Sequence, residues 1–339
     1  MVENNELSSV PPVRASLPSI SVVVCSYDRL QYVQRCLEAL TRQSVGYNGF
    51  EIILVDNGSP PAVAAEMRRI IEAIPNARLV RLEAAGISLA RNAGARAASG
   101  DYVAYIDDDA MAMPDWIEQI QHVLAEHGCR PVVLGGKVLP IWESPLPDWW
   151  PASLRGVLSI IEHDGAGEYR TDALPASLAP YGVNMILRRD TMLEHGGFDE
   201  ALGRHGLVLL SDEDVQLAWR LQDAGLSTIY DSRVVVRHSI QAKRLTPEWL
   251  ITRLYWQGIS AVRTRLMLGQ TALVRRELLR RLFVEASTLP FAWIIPKRST
   301  RFMALRWRHA YASGFRKEVF SGGIGNFVVL LRRRRFVPA

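Results

Sequence analysis

An α/β chain is what the sequence predicts, with a doubly wound, mostly parallel sheet, helices on both faces, and a basic C-terminal helical extension. Three observations carry that expectation. Short apolar runs rich in β-branched residues alternate with stretches of helical spacing, an order that calls for a parallel sheet. Several of those runs stop abruptly on polar residues, as strands do whose carboxyl ends form a ligand-binding edge. The charge is also unevenly divided. Residues 241–339 hold 20 Lys and Arg against 4 Asp and Glu, a net +16, so the +5 of the whole chain leaves −11 for residues 1–240.

Residues 21–25 are a first buried strand, with Ser26, Tyr27 and Arg29 at its end. Leu30, Val33, Leu37 and Leu40 then recur at helical spacing. A second strand over 50–55 ends in Asp56, and a helix over 61–74 begins on Pro61, a residue favoured in the first turn. Residues 77–82 are a third strand. Gly86 turns the chain into a helix through Ala98, with Ser88 as its N-cap. The fourth strand, 102–106, stops on three consecutive carboxylates, Asp107, Asp108 and Asp109. A helix over 116–126 and a strand over 132–139 follow.

Residues 142–180, with Trp142, Trp149, Trp150 and three early prolines, lack periodicity and read as a long functional loop. Strand character resumes over 181–188, and 196–200 is a turn. A helix opens at 211–214 and ends before Gly225. Residues 228–230 and 234–236 are two short strands, the second running into Arg237 and His238. From Thr246 the spacing is helical, with Arg275, Arg276, Arg280 and Arg281 interleaved among leucines.

Composition narrows the function classes. Cys25, Cys36 and Cys129 are few and far apart, which argues against a disulfide framework or a zinc cluster and fits a reducing compartment. Residues 1–19 are a polar lead-in without the apolar stretch of a secretory signal. No uncharged run reaches the roughly 18 to 20 residues of a membrane-spanning helix. Neither a P-loop nor a dinucleotide fingerprint is present, so phosphate binding must rest on a metal and on arginine.

Three adjacent Asp side chains repel one another unless something positive arrives. A divalent cation, Mg²⁺ or Mn²⁺, bridging to phosphate oxygens would relieve them, and His238 beside Asp109 would complete an N,O ligand set acceptable to Mn²⁺. The competing reading is an acidic turn, with Asp109 or Asp115 capping the next helix. At the other strand ends, Tyr27 can stack on a base, Asp56 can accept from a ring N–H and Asp107 can reach a ribose hydroxyl. Arg91 and Asn92 open the helix after Gly86, where a guanidinium and backbone N–H groups meet phosphate. Glu213 and Asp214 stand at a helix start. They suit either its dipole or, with a pKa raised by like charge and burial, a general base.

The ordered set SVVVCSYDR, VDNGS, GISLARNAG, YIDDDA, GVNMILRRD with GGFDE, and SDEDVQLAWRLQDAG resembles family 2 glycosyltransferases of the GT-A fold, over roughly residues 20–240. The resemblance implies an inverting, metal-dependent transfer from a nucleotide diphospho-sugar to a hydroxyl acceptor, a saccharide or lipid-linked saccharide in cell-surface polysaccharide synthesis. It implies a catalytic domain over 20–245, divided into a nucleotide-sugar half (20–140) and an acceptor half (141–245), before the extension at 246–339. Donor contacts fall on Ser26, Tyr27, Arg29, Asp56, Arg91, Asn92, Asp107 and Asp108, and the carboxylate ligands of the metal are Asp107 and Asp109. Acceptor contacts fall on Gly182, Asn184, Gly197 and Asp199, and the base is Asp214, with Glu213 the alternative.

Two rivals differ in class. A sugar nucleotidyltransferase would need a glycine-rich loop and lysine that 26–29 lacks, and a non-catalytic binding module has no use for the two acidic motifs. No nucleic-acid motif is present, so no specific nucleic-acid partner is expected. The tail mixes Arg with Trp249, Trp256, Phe283, Phe291, Trp293, Phe302 and Trp307. That composition suits a helix in a headgroup layer, which would place a cytoplasmic enzyme peripherally at the inner face of the membrane. The alternative is a helical cap whose arginines satisfy the acidic body.

Overall fold

The computed structural model describes residues 17–169, 179–204, 208–288 and 300–321. Four strands run parallel, in the order β3 (Ala77–Arg81), β2 (Glu51–Asp56), β1 (Ile20–Ser26) and β4 (Tyr102–Asp107). Val24 lies opposite Leu54 on one side and Ile106 on the other, so the strands end level and deliver their polar residues to one edge. The sheet continues through β8 (Met185–Arg188), antiparallel to β4, and then β6 (Val133–Trp142). Beyond β6 come β9 (Thr228–Ile240), parallel to it, and short β5 (Ala110–Ala112) at the far edge. A further short strand, β7 (Ala166–Glu168), pairs with β9.

Side-chain alternation sorts the apolar strand residues onto two faces. Val22, Val24, Ile52, Leu54, Tyr102, Ala104 and Ile106 pack with buried residues of α1 (Leu30–Thr41), α2 (Pro61–Glu72) and α4 (Trp116–Glu126). Val23, Ile53, Val55, Val103 and Tyr105 pack instead with α3 (Ile87–Ala97), α5 (Arg189–Glu194) and α6 (Glu213–Asp223). This explains why the strands read as continuous apolar runs, since both faces are covered. Gly94 lets α3 sit close on β1, because a Cβ there would run into Val23.

Several expectations shift. The two strands read at 228–230 and 234–236 are one strand, β9. Its register against β6 jumps between Gly136 and Lys137, opposite Asp231 and Val235, so the polar interruption is an irregularity within the strand. The stretch from residue 181 enters its strand only at Met185, because Gly182–Asn184 forms a 3₁₀ turn. Ser88 is inside α3 and not its cap; Gly86 holds the N-cap position, and the Ser88 hydroxyl donates to the Leu202 carbonyl at 3.0 Å. Within the long loop, Ala152–Leu158 forms 3₁₀ turns and β7 joins the sheet, while residues 170–178 lie outside the described residues.

The extension is helical: α7 (Pro247–Met267), α8 (Thr271–Thr288) and α9 (Thr300–Ser321). Thr246 caps α7 by accepting from the Trp249 N–H, and Pro247 opens it. α7 and α9 cross at two glycines. A Cβ on Gly258 would strike the Tyr311 carbonyl, and one on Gly314 the Tyr255 carbonyl. Leu250, Leu254 and Trp307 share a core with Trp150, Leu158 and Ile240, so the helices pack on the loop that follows β6. No described helix is long and apolar enough to cross a membrane. Phe291 and Trp293 lie outside the described residues.

Candidate active site

The ends of β1 and β4, the start of α6, the end of β9, the 3₁₀ turn Ala242–Leu245 and α7 enclose a cavity of about 860 Å³. Of the residues singled out in the sequence, Ser26, Tyr27, Arg29, Arg91, Asp107, Asp108, Asp109, Gly182, Glu213, Asp214 and His238 line it. Tyr27 is 50% exposed, with its ring available to stack.

The three aspartates are not equivalent. Asp107 carries a side chain 36% exposed to the cavity, whereas Asp108 and Asp109 are buried. Arg29 forks across both buried carboxylates, 2.7 Å from Asp108 and 2.6 Å from Asp109, and Ser26 donates to Asp108 at 2.6 Å. Asp109 also meets Arg244 at 3.0 Å and His238 at 3.3 Å. Burial pushes Asp108 up to about 7. Burial would raise Asp109 as well, but His238, Arg244 and Arg29 together hold it well below the usual carboxylate range. The repulsion that the sequence poses is therefore met largely by arginine.

As metal ligands, Asp107, Asp109 and His238 have the right donor chemistry, two carboxylates and an imidazole. They do not form a preassembled set: among the described residues no three His, Cys, Asp or Glu side chains converge to hold a metal. Asp107 is the open donor, and a cation reaching Asp109 must displace a guanidinium.

Asp214 sits in the first turn of α6, accepting from the Gly182 N–H at 2.7 Å and the Val215 N–H at 2.8 Å. Burial, then the neighbouring charge of Glu213, lifts its carboxyl to about 7, outweighing Arg91 and both backbone donors. Arg91 links the two acidic motifs, 2.7 Å from Glu213 and 3.3 Å from Asp107, with its guanidinium over the Phe198 ring. Gly182 makes room for it, because any Cβ there would overlap the guanidinium.

Other expected contacts point elsewhere. Asp56 is fully buried, accepting from the Ser59 N–H at 2.9 Å and paired with Arg81 at 3.0 Å, and it does not line the cavity. Asn92 exchanges hydrogen bonds with both backbone groups of Phe198 at 2.8 Å, tying α3 to the 196–200 turn and not reaching toward phosphate. Asn184 accepts from the Trp116 indole at 3.0 Å and donates to the Lys137 and Val234 carbonyls, a core staple. Gly197 has φ +65° and packs on Asn92, and Asp199 closes its own turn by accepting from the Ala201 N–H.

The wall supplied after residue 241 matches the alternative of a helical cap on the acidic body, but its polar residues were not singled out in the sequence. Arg244 reaches Asp109, and Gln257 donates to both oxygens of Asp212 at 2.7 and 3.0 Å. Ser260 accepts from the Ser211 N–H, and Arg253 faces the cavity. Asp212 itself, at φ +73°, is the residue from which α6 starts. The run SDED was the available signal for Asp212; for the helix residues nothing local marks them.

Over residues 21–146 the sequence matches the model of glycosyl transferase family 2. A glucosyl-dolichyl phosphate glucuronosyltransferase of Haloferax volcanii is 32% identical over 248 residues, spanning 71% of this chain and 75% of that protein. Glycosyltransferase AglE of the same organism is 26% identical over 226 residues, 66% of this chain and 68% of that one. Among solved structures, the mannosyltransferase PcManGT from Pyrobaculum calidifontis, in complex with GDP-Man and Mn²⁺, has a TM-score of 0.58 over 90% of this chain and 88% of that one, at 16% identity. That likeness bears on the fold, a GT-A type sheet with a helical extension. Identity and coverage against the glucuronosyltransferase carry the rest: the chain belongs to the family 2 glycosyltransferases.

Proposed function

We propose that the protein moves a sugar from a nucleotide diphospho-sugar to a hydroxyl of a lipid-linked acceptor, with inversion and with a divalent cation. One observation carries this reading. A buried carboxyl poised near neutrality, Asp214, shares a cavity with the open carboxylate of Asp107, and one guanidinium spans the distance between their motifs. Asp214 takes the proton of the acceptor hydroxyl, whose oxygen attacks the anomeric carbon opposite the departing nucleotide diphosphate. Arg91 anchors Glu213, which keeps the neighbouring carboxylate fixed while its field raises Asp214. Tyr27 is suited to stack on the base and Asp107 to accept from the ribose. No residue is arranged as an activated nucleophile; burial pushes the Cys25 thiol up to about 12, far from a thiolate.

The cation would be held by Asp107 and Asp109 with His238, and when bound it supplies charge to the leaving diphosphate. The relatives support a lipid-linked acceptor, one being named for a glucosyl-dolichyl phosphate substrate. A peripheral position at the cytoplasmic face of the membrane follows from the same reading. It is supported by α8, where Leu279 (58% exposed) and Phe283 (75% exposed) lie among Arg275, Arg276 and Arg280.

The experiment is a panel of nucleotide diphospho-sugars incubated with Mn²⁺ or Mg²⁺ and a short-chain lipid-linked sugar, with the product's anomeric configuration read by NMR. One donor is expected to give a product of inverted configuration, and chelation to stop its formation. A retained configuration would overturn the mechanism, and undiminished transfer in chelator would overturn the cation.

A further inference from the structure

Arg253 is the least explained charge in the cavity. It projects from α7, is 7% exposed, and its Nε and Nη1 are buried with no hydrogen-bond partner. The carboxylates around it bond elsewhere: Asp212 to Gln257 and Ser211, Glu213 to Arg91 through Oε1 alone, its Oε2 being buried without a partner, and Asp214 to two backbone N–H groups. None lies within ion-pair distance of Arg253. A second guanidinium, Arg204, opens into the same cavity, exposed and with no ion pair among the described residues. Arg204 feels the like charges of Arg244 and Arg253, and burial disfavours the charged form of Arg253. A buried guanidinium with unpaired N–H groups is costly, and an anion with several acceptor oxygens, shared with the exposed Arg204, removes that cost.

We infer that Arg253 and Arg204 form an anion subsite that takes the phosphate of the acceptor, so that the accepting sugar is one joined to its lipid through phosphate. This rests on the proposed role of Asp214 and on the lipid-linked acceptor. The side of the cavity decides between acceptor and donor phosphate. Arg253 is surrounded by Asp212, Glu213, Asp214 and Tyr181, the surroundings of the base, and Arg204 lies between it and Arg244, near Glu213 and Asp107, whereas Arg29 and Arg244 stand at Asp108 and Asp109. A phosphate held by Arg253 therefore lies on the side of the cavity that holds the base. The subsite discriminates by charge, admitting a sugar phosphodiester and binding poorly the same sugar on a neutral stem.

The test uses the full chain and two acceptors of equal chain length: a hexose joined to a short prenyl chain through phosphate, and the neutral prenyl hexoside. The phosphate-linked acceptor is expected to have a KM about 10- to 100-fold lower, the range for one or two charge-assisted hydrogen bonds. Arg253→Gln and Arg204→Gln should each erase most of that preference by raising the KM of the phosphate-linked acceptor alone, and Arg253→Lys should restore part of it. Arg204 is solvent-accessible, so its variant tests the subsite even where Arg253→Gln fails to fold. Equal KM values in the unaltered enzyme would overturn the subsite while leaving lipid-linked transfer standing. A rise in donor KM with acceptor preference retained would assign the arginines to the donor diphosphate and overturn the inference. Donor hydrolysis without transfer to either acceptor would overturn the lipid-linked reading and the subsite with it.

Discussion

Asp214 and Asp107 are the residues on which single substitutions are most informative. Asp214→Asn is expected to keep donor affinity and lower kcat by about 10²- to 10⁴-fold, the usual loss on removing a general base. Turnover near normal there, with the loss appearing in Glu213→Gln, would move the role by one residue. Because the Asp214 carboxyl is raised to about 7, kcat should climb with pH through neutrality in the unaltered enzyme, and a flat profile from pH 5 to 8 would exclude it as the base. The same shift has a stability consequence. A carboxyl that binds its proton more tightly when folded adds stability below its unfolded value, and that stability is lost as pH rises toward 7. Asp214→Asn should therefore melt higher than the parent at pH 8, with the difference shrinking as the pH falls toward 4. For the cation, Asp107→Asn is the clean substitution, expected to abolish metal-dependent nucleotide binding in calorimetry without unfolding the protein. Asp109→Ala is not, since it strands Arg29, Arg244 and His238 and should cost about 3 to 5 kcal/mol. The charges at 107–109 were legible in the sequence because they interrupt an apolar strand. Their separate fates were not, because Arg244 lies 135 residues away from Asp109 and reads locally as one more basic residue of the tail.

Among the elements, α7 does most to complete the cavity, and its crossing with α9 holds it in place. Alanine at Gly314 gains up to about 1 kcal/mol in helix propensity. Its Cβ, however, meets the Tyr255 carbonyl, a backbone atom that cannot swing aside. Overpacking of about 1 to 3 kcal/mol should win, so Gly314→Ala is expected to lower the urea midpoint. Activity should fall with it, because Gln257 and Ser260 on α7 hold Asp212 and Ser211. An unchanged midpoint would mean that the helices separate without cost. The strands were the most legible elements, since burial on both faces leaves an unbroken apolar run. β9 was misjudged because Asp231, Ser232 and Arg233 look like a turn, yet Asp231 accepts from the Arg233 N–H and the strand carries on. α5 went unseen because six residues are too few to show a period.

At the scale of the whole molecule, the basic extension is divided: part of it covers the acidic body and part faces outward. Residues 242–260 fold onto the acidic body as a cap, through Arg244, Gln257 and Ser260. α8 instead leaves leucine, phenylalanine and arginine outside. Full-length protein is expected to sediment with anionic liposomes at low salt and to be released at high salt, and Leu279→Ser with Phe283→Ser to reduce the bound fraction several-fold. Protein that stays in the supernatant at low salt would overturn membrane binding and leave the tail as a structural cap or a protein-binding surface. The cap also has a bearing on synthesis. The partners of Asp109 and Asp212 at positions 244 and 257 are translated after every strand of the sheet, so a growing chain holds these two buried carboxylates without those partners until α7 emerges. At about 5 to 20 residues per second the interval between residue 109 and residue 257 lasts roughly 7 to 30 seconds. Once β9 is complete and before α7 emerges, a nascent chain has a sheet but no closed site, and ribosome-bound chains stalled before residue 244 should stay inactive and sensitive to protease around 208–214.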